Sequence, residues 1–118
     1  MIKFICYPKC TPCQKAKKCL EDNKIEYELR DIKLDNPTLE ELTEWYKQSG
    51  LPLKKFFNTS GLLYKSLDLK NKILTMTEEE MLNLLATDGM LVKRPLLVSD
   101  DFVLFGFKES EWNTILVN

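Results

Sequence analysis

Cys10-Thr11-Pro12-Cys13 has the clearest chemical capacity in this chain. Two thiols separated by two residues at the start of a helix are close enough to form a disulfide without moving the backbone. A thiolate, not a thiol, attacks a disulfide or an oxyanion, so such a site needs a cysteine of lowered pKa. Cys10 stands at the mouth of an expected helix, where unpaired N–H groups and the helix dipole favour negative charge. Lys9 adjoins it, and Lys15, Lys17 and Lys18 make the segment locally basic. Such surroundings can bring a thiol from about 8.5 into the range of roughly 3.5–7.5. Cys10 is the expected nucleophile. Cys13, one turn further in, is the expected resolving thiol.

Composition narrows the alternatives. The 118 residues include no histidine, which removes His-assisted nucleophiles and every His-containing zinc site. All four cysteines lie within the first 19 residues, so they cannot staple distant loops as a secreted scaffold would. The cluster means redox chemistry, metal binding or burial in a reducing compartment, and the cytoplasm is the expected location. A zinc site would need Cys6 and Cys19 as further ligands. Cys6 falls in a strand and Cys19 lies about three turns along the helix, so no metal is expected. Both fit apolar patterns and are expected in the core, and an inert Cys10–Cys13 pair is the bland alternative to a redox site.

A net charge of −1 gives no case for direct contact with nucleic acid or an anionic membrane, so any nucleic-acid role would run through a protein partner. No apolar run approaches the roughly 18 residues of a membrane span. The first eight residues lack the features of a signal peptide. One domain and a monomer are expected.

Lys93-Arg94-Pro95 is the second informative segment. Arg94 is either a surface cation ending a loop or an anion clamp near Cys10 that uses arginine's fixed donor fork. Pro95 opens a strand expected near the first helix. The aromatics of Phe56-Phe57-Asn58-Thr59-Ser60-Gly61 line either a pocket or, more often, a core, and Trp112 reads as packing.

The elements that must position these residues follow from periodicity. Ile2–Tyr7 reads as a buried strand, with Ile2, Phe4 and Cys6 on one face, and Pro8-Lys9 as a turn. Thr11 to about Asn23 reads as a helix with Pro12 in its first turn and Cys13, Ala16, Cys19 and Leu20 inward. Ile25–Ile32 alternates as a half-buried strand, with Ile25, Tyr27 and Leu29 inward, so the opening is a parallel β-α-β unit. Thr38-x-x-Glu41 is a capping box, opening a helix to Gly50 with Leu39, Leu42, Trp45 and Tyr46 inward. Short helices are expected after Pro52 and over Leu62–Leu69. A second capping box at Thr77 starts a helix that Asp88-Gly89 ends. Leu96–Val98 and Phe102–Phe105 flank a Ser99-Asp100-Asp101 turn, and a last helix runs from about Glu109 to Leu116. The order is β-α-β, an all-helical insertion at about 38–88, then β-β-α. This is an α/β, thioredoxin-like mixed sheet with helices spliced between its halves. Folds of that kind place a cis-proline facing the nucleophile, the position expected of Pro95.

The run Tyr7-Pro8-Lys9-Cys10-x-x-Cys13-x-Lys15-Ala16, the helical insert, Asp88-Gly89-x-Leu91-x-x-Arg94-Pro95-Leu96 and Gly106-Phe107 resemble the arsenate reductase-like (ArsC) family. The resemblance covers essentially the whole chain and is strongest to the short branch of Spx- and MgsR-type proteins. It implies Cys10 as nucleophile and Arg94 as an oxyanion ligand, with Thr11, Pro12, Asn58 and Pro95 as the substrate-contacting set. Asn58 and Phe107-Lys108 stand where arsenate reductases of this kind carry further arginines, and neither asparagine nor phenylalanine replaces a guanidinium fork. That departure argues against arsenate as substrate. No bound cofactor is expected. Glutathione, or a thioredoxin or glutaredoxin partner, is the implied reductant. The Spx-type alternative implies a Cys10–Cys13 redox sensor that binds the C-terminal domain of the RNA polymerase α subunit, with Gly50 the nearest counterpart of a contact glycine. A thiol–disulfide oxidoreductase and a redox-controlled binding module are thus the two function classes.

Overall fold

The computed structural model describes residues 2–116, which divide into two compact units. One joins the residues up to Asp31 with those from Arg94 onward, and the other is Ile32–Lys93.

The first unit is built on a four-stranded sheet of β1 (Ile2–Cys6), β2 (Tyr27–Asp31), β3 (Leu96–Val98) and β4 (Val103–Phe105), in the order β2-β1-β3-β4. β1 and β2 are parallel, joined through α1 (Thr11–Asp22), whereas β1–β3 and β3–β4 are antiparallel. This is the expected β-α-β and β-β-α order, closed by α6 (Glu109–Leu116). Phe4 lies opposite Leu97, and Leu97 opposite Leu104, so one sheet face carries a continuous apolar row. That row, with Cys6, packs with Cys13, Ala16 and Leu20 of α1 and Trp112 of α6. Trp112 is fully buried, edge-on to Phe4 and Phe107, and its Nε1–H donates to the Gly106 carbonyl at 3.2 Å. Gly106, at φ 76°, sits in the left-handed region that glycine adopts without cost, and its N–H donates to the Pro95 carbonyl at 2.8 Å. Trp112 thereby fixes the backbone that holds Pro95.

The second unit opens with α2 (Leu39–Ser49) and ends beyond α5 (Glu78–Thr87), which pack on each other. Both capping boxes are formed. Thr38 Oγ1 accepts from the Glu41 N–H at 3.1 Å, and Thr77 Oγ1 from the Glu80 N–H at 3.1 Å, with each glutamate returning the bond. Leu42, Phe56, Phe57 and Leu85 are buried, so the aromatic pair is core rather than pocket lining. At Gly89 a β-carbon would fall on the Ile32 carbonyl, so only glycine fits.

Four details differ from the sequence reading. β2 begins at Tyr27 rather than Ile25, because Lys24 turns at φ 56° and the Ile25 N–H donates to the Leu20 carbonyl at the helix end. Leu29 is 56% exposed, since β2 is an edge strand, and Leu39 is exposed in the first turn of α2. Leu62–Leu69 is not one helix. It breaks at Asp68, φ 53°, into α3 (Leu62–Ser66) and α4 (Leu69–Lys72). Phe102 lies outside β4, its carbonyl accepting the Ser99 N–H at 2.9 Å to close the hairpin.

Replacing Trp112 with phenylalanine removes the donor and leaves the Gly106 carbonyl unpaired in the core. A loss of about 1–3 kcal/mol is expected in denaturant unfolding. A stability equal to the parent would show that the hydrogen bond carries no weight.

Candidate functional site

The β1–α1 junction holds the site. The Cys10 N–H donates to the Tyr7 carbonyl at 2.9 Å, and the Cys10 carbonyl accepts from Gln14 at 3.1 Å, fixing Cys10 as the residue that caps α1. Pro12 falls in the first turn, where its missing N–H leaves no helical bond unmade. Thr11 and Pro12 are exposed, and Cys10 is half-buried. Cys13 is only 2% exposed. All four cysteines are reduced.

Cys13 is enclosed by the end of β1. Its Sγ accepts the Tyr7 N–H at 3.4 Å, and it packs in one apolar cluster with Cys6, itself 6% exposed. The neighbouring thiols hold Cys6 below the ordinary thiol range and Cys13 above it, and burial raises Cys13 further. Cys13 is therefore the protonated, inward thiol of the pair.

Cys10 departs from the sequence expectation. Burial is the leading influence and raises its pKa, with the Cys13 side chain adding to the rise. The Cys13 backbone N–H and a hydrogen bond from the Arg94 guanidinium work in the opposite direction. The lysines expected to depress the pKa do not reach the sulfur. Lys9, Lys15, Lys17 and Lys18 are all exposed, where water and salt screen them. The Cys10 side chain also makes no capping hydrogen bond with the helix. The influences that lower the Cys10 thiol are the Cys13 backbone N–H first and Arg94 after it, rather than the basic segment.

Arg94 lies with Cζ 5.4 Å from the centre of the Tyr7 ring, a cation–π contact that fixes the guanidinium plane. Its Nε and Nη1 are buried and have no hydrogen-bond partner among the described residues. A planar fork with two donors to spare beside a thiol suits an anionic group. The Arg94–Pro95 peptide bond is cis, as thioredoxin-like folds place it.

Cys10, Thr11, Pro12, Cys13, Arg94 and Pro95 thus belong to one unit. Asn58 belongs to the other, where it serves its own turn. Its N–H donates to the Leu91 carbonyl at 2.8 Å, its carbonyl accepts from Gly61 at 3.1 Å, and its Oδ1 accepts from the Ser60 hydroxyl at 3.3 Å. Cys19 is half-buried, with Sγ 3.6 Å from Asn113 Oδ1, and burial raises its pKa. Among the described residues no group of three or more Cys, Asp or Glu side chains is arranged to hold a metal ion. Two neighbours of the site escaped sequence reasoning: Tyr7, whose ring lies under Arg94, and Cys6, which packs in one cluster with Cys13. The Cys6 signal was present, since the inward faces of β1 and α1 both carry a cysteine. Nothing in the sequence marks the Tyr7 ring.

Cys10 is expected to alkylate with iodoacetamide at least about tenfold faster than the enclosed Cys13. Arg94→Met should slow Cys10 labelling about three- to tenfold at neutral pH, with the rates converging at high pH once the thiolate is complete. Faster labelling at Cys13, or an Arg94→Met rate equal to the parent at pH 7, would reverse the assignment.

Comparison with known proteins agrees with this geometry. The ArsC family model matches residues 6–115. The chain is 50% identical over 111 residues to YusI of Bacillus subtilis, covering 94% of both chains. It is 32% identical over 110 residues to the regulatory protein MgsR of the same organism, covering 93% of this chain and 86% of MgsR. The crystal structure of a putative ArsC family related protein from Bacteroides fragilis superposes with a TM-score of 0.94 at 60% identity, covering 97% of this chain and 96% of that one. The fold is thioredoxin-like, and the chain belongs to the ArsC family.

Proposed function

We propose that the protein is a cytoplasmic thiol–disulfide exchange protein in which Cys10 attacks, Cys13 resolves and Arg94 orients the anionic part of the substrate. The observation that carries this reading is the unequal pair of sulfurs at the mouth of α1, one half-buried beside Arg94 and the other enclosed behind it. The Cys10 thiolate attacks a disulfide and expels one thiolate, leaving a mixed disulfide on Cys10. Cys13 gives up its proton and attacks the Cys10 sulfur, releasing the second thiol and closing Cys10–Cys13. Thiolate and carboxylate groups of a glutathione-like molecule suit the spare donors of Arg94, and the exposed Thr11, Pro12 and the Pro95 edge offer a docking surface. Glutathione or a thioredoxin or glutaredoxin partner would reduce the disulfide again. No bound cofactor enters this cycle. Asn58 offers a neutral amide rather than a guanidinium fork, and gives no support to a second oxyanion ligand of that kind.

With glutathione disulfide as oxidant, Cys13→Ser should accumulate a glutathione adduct on Cys10, while the parent passes through it to an internal disulfide. Absence of the adduct in Cys13→Ser, with the fold intact, would overturn the reading. Arsenate turnover with glutaredoxin and glutathione should be negligible. Robust turnover lost in Arg94→Ala would restore arsenate as substrate.

A second reading, a redox-sensing regulator bound to the RNA polymerase α C-terminal domain, is favoured by the likeness to MgsR. Gly50 supports it as well, ending α2 at φ 68° with open space where a β-carbon would stand. A pull-down with that domain should then differ between reduced and oxidised protein. Absence of binding in both states would remove this reading and leave the exchange reading in place.

A further inference from the structure

We propose that Cys6 is a third redox thiol, which attacks Cys13 in the Cys10–Cys13 disulfide to form Cys6–Cys13 and set Cys10 free. This rests on the dithiol reading above.

Thiol–disulfide exchange needs three sulfurs in a row, with the attacked sulfur in the middle. Cys13 occupies that middle place. On one side stands Cys10, three residues earlier at the helix mouth. On the other stands Cys6, the last residue of β1, buried in the same cluster as Cys13. The Tyr7 N–H, part of the peptide that leaves Cys6, lies 3.4 Å from the Cys13 sulfur and fixes this proximity through the backbone. Cys6 and Cys13 share one apolar cluster, and Cys10 packs against it. Cys19 is not placed for this role. Its sulfur faces Asn113 and Asn23 at 3.6 and 3.7 Å, in the last part of α1.

The balance of the step is simple. A low-molecular-weight disulfide enters through Cys10 and leaves as two thiols, taking two electrons from the protein as Cys10–Cys13 closes. The Cys6 thiol then loses its proton and attacks the Cys13 sulfur. The Cys10–Cys13 bond breaks, the Cys6–Cys13 bond forms, and the Cys10 thiolate takes up a proton. No further oxidant is consumed. With 6% exposure, Cys6 is shielded from external disulfides and is reached by exchange alone. The product keeps the oxidation equivalent in the core and returns a free thiol to the surface.

The tryptic map separates the two disulfides, because Lys3, Lys9 and Lys15 put Cys6 on peptide 4–9 and both Cys10 and Cys13 on peptide 10–15. The whole protein would be incubated with glutathione disulfide, acid-quenched, alkylated and digested without reductant. A cross-linked 4–9/10–15 pair with Cys10 alkylated is expected within about tenfold of the looped 10–15 peptide. Cys6→Ala should abolish the cross-link and keep the loop, and Cys10→Ser should lower the cross-link at least about tenfold by removing the entry point. The loop alone in the parent would overturn the proposal and leave the dithiol reading standing. Neither species would overturn both. A bond from Cys6 to Cys10, or a cross-link undiminished in Cys10→Ser, would also contradict the relay.

Discussion

The seating of the Cys13 sulfur against the end of β1 is the constraint on which the rest of the site depends. The Tyr7 N–H bonds that sulfur and Cys6 packs in its cluster, so strand and helix are joined beside the cysteine pair. Because Cys13 is held inward, Cys10 is left as the thiol nearer solvent, and the same turn presents its carbonyl to continue the helix through Gln14. The asymmetry between the two thiols is thus a product of packing. Charge refines it through Arg94, whose guanidinium is fixed by the Tyr7 ring and by a backbone held in place by Gly106 and Trp112.

Much of this was legible in the sequence. The two capping boxes, Pro12 in a first helical turn and the alternation of Ile2, Phe4 and Cys6 are local signals, and each has its structural counterpart. What stayed hidden depends on atoms distant in sequence or on solvent. The basic run around Cys10 looked like an activating field, yet its lysines point into water and act weakly. The leading influence, desolvation of the Cys10 sulfur, has no sequence signature. Leu29 and Leu39 kept an apolar period although β2 lies at a sheet edge and Leu39 in a first turn, because periodicity gives a face and not its cover. Cys6 was counted as core, and it is core, but its neighbour is a sulfur rather than a methyl group.

Family membership and site chemistry answer different questions. The ArsC match extends over residues 6–115 and includes relatives that differ in role, among them a regulatory protein. What the fold places here is a half-buried thiol at a helix mouth in the same unit as a cis-proline strand. Which role a chain takes depends on the residues around it. Here those are an enclosed second cysteine in the same helix and one arginine with donors to spare, while the Asn58 side-chain oxygen accepts within its own turn. That combination favours passing electrons between thiols over holding a tetrahedral oxyanion.

The central claim is that Cys10 and Cys13 act as one reversible two-electron couple. A titration of the purified protein against buffers of defined glutathione redox poise, followed by counting alkylated thiols on the intact chain, tests it most directly. A single reversible transition that removes two alkylatable thiols, and that Cys13→Ser abolishes, is the predicted result. Four alkylatable thiols at every poise, or a transition that still removes two thiols in Cys13→Ser, would contradict it.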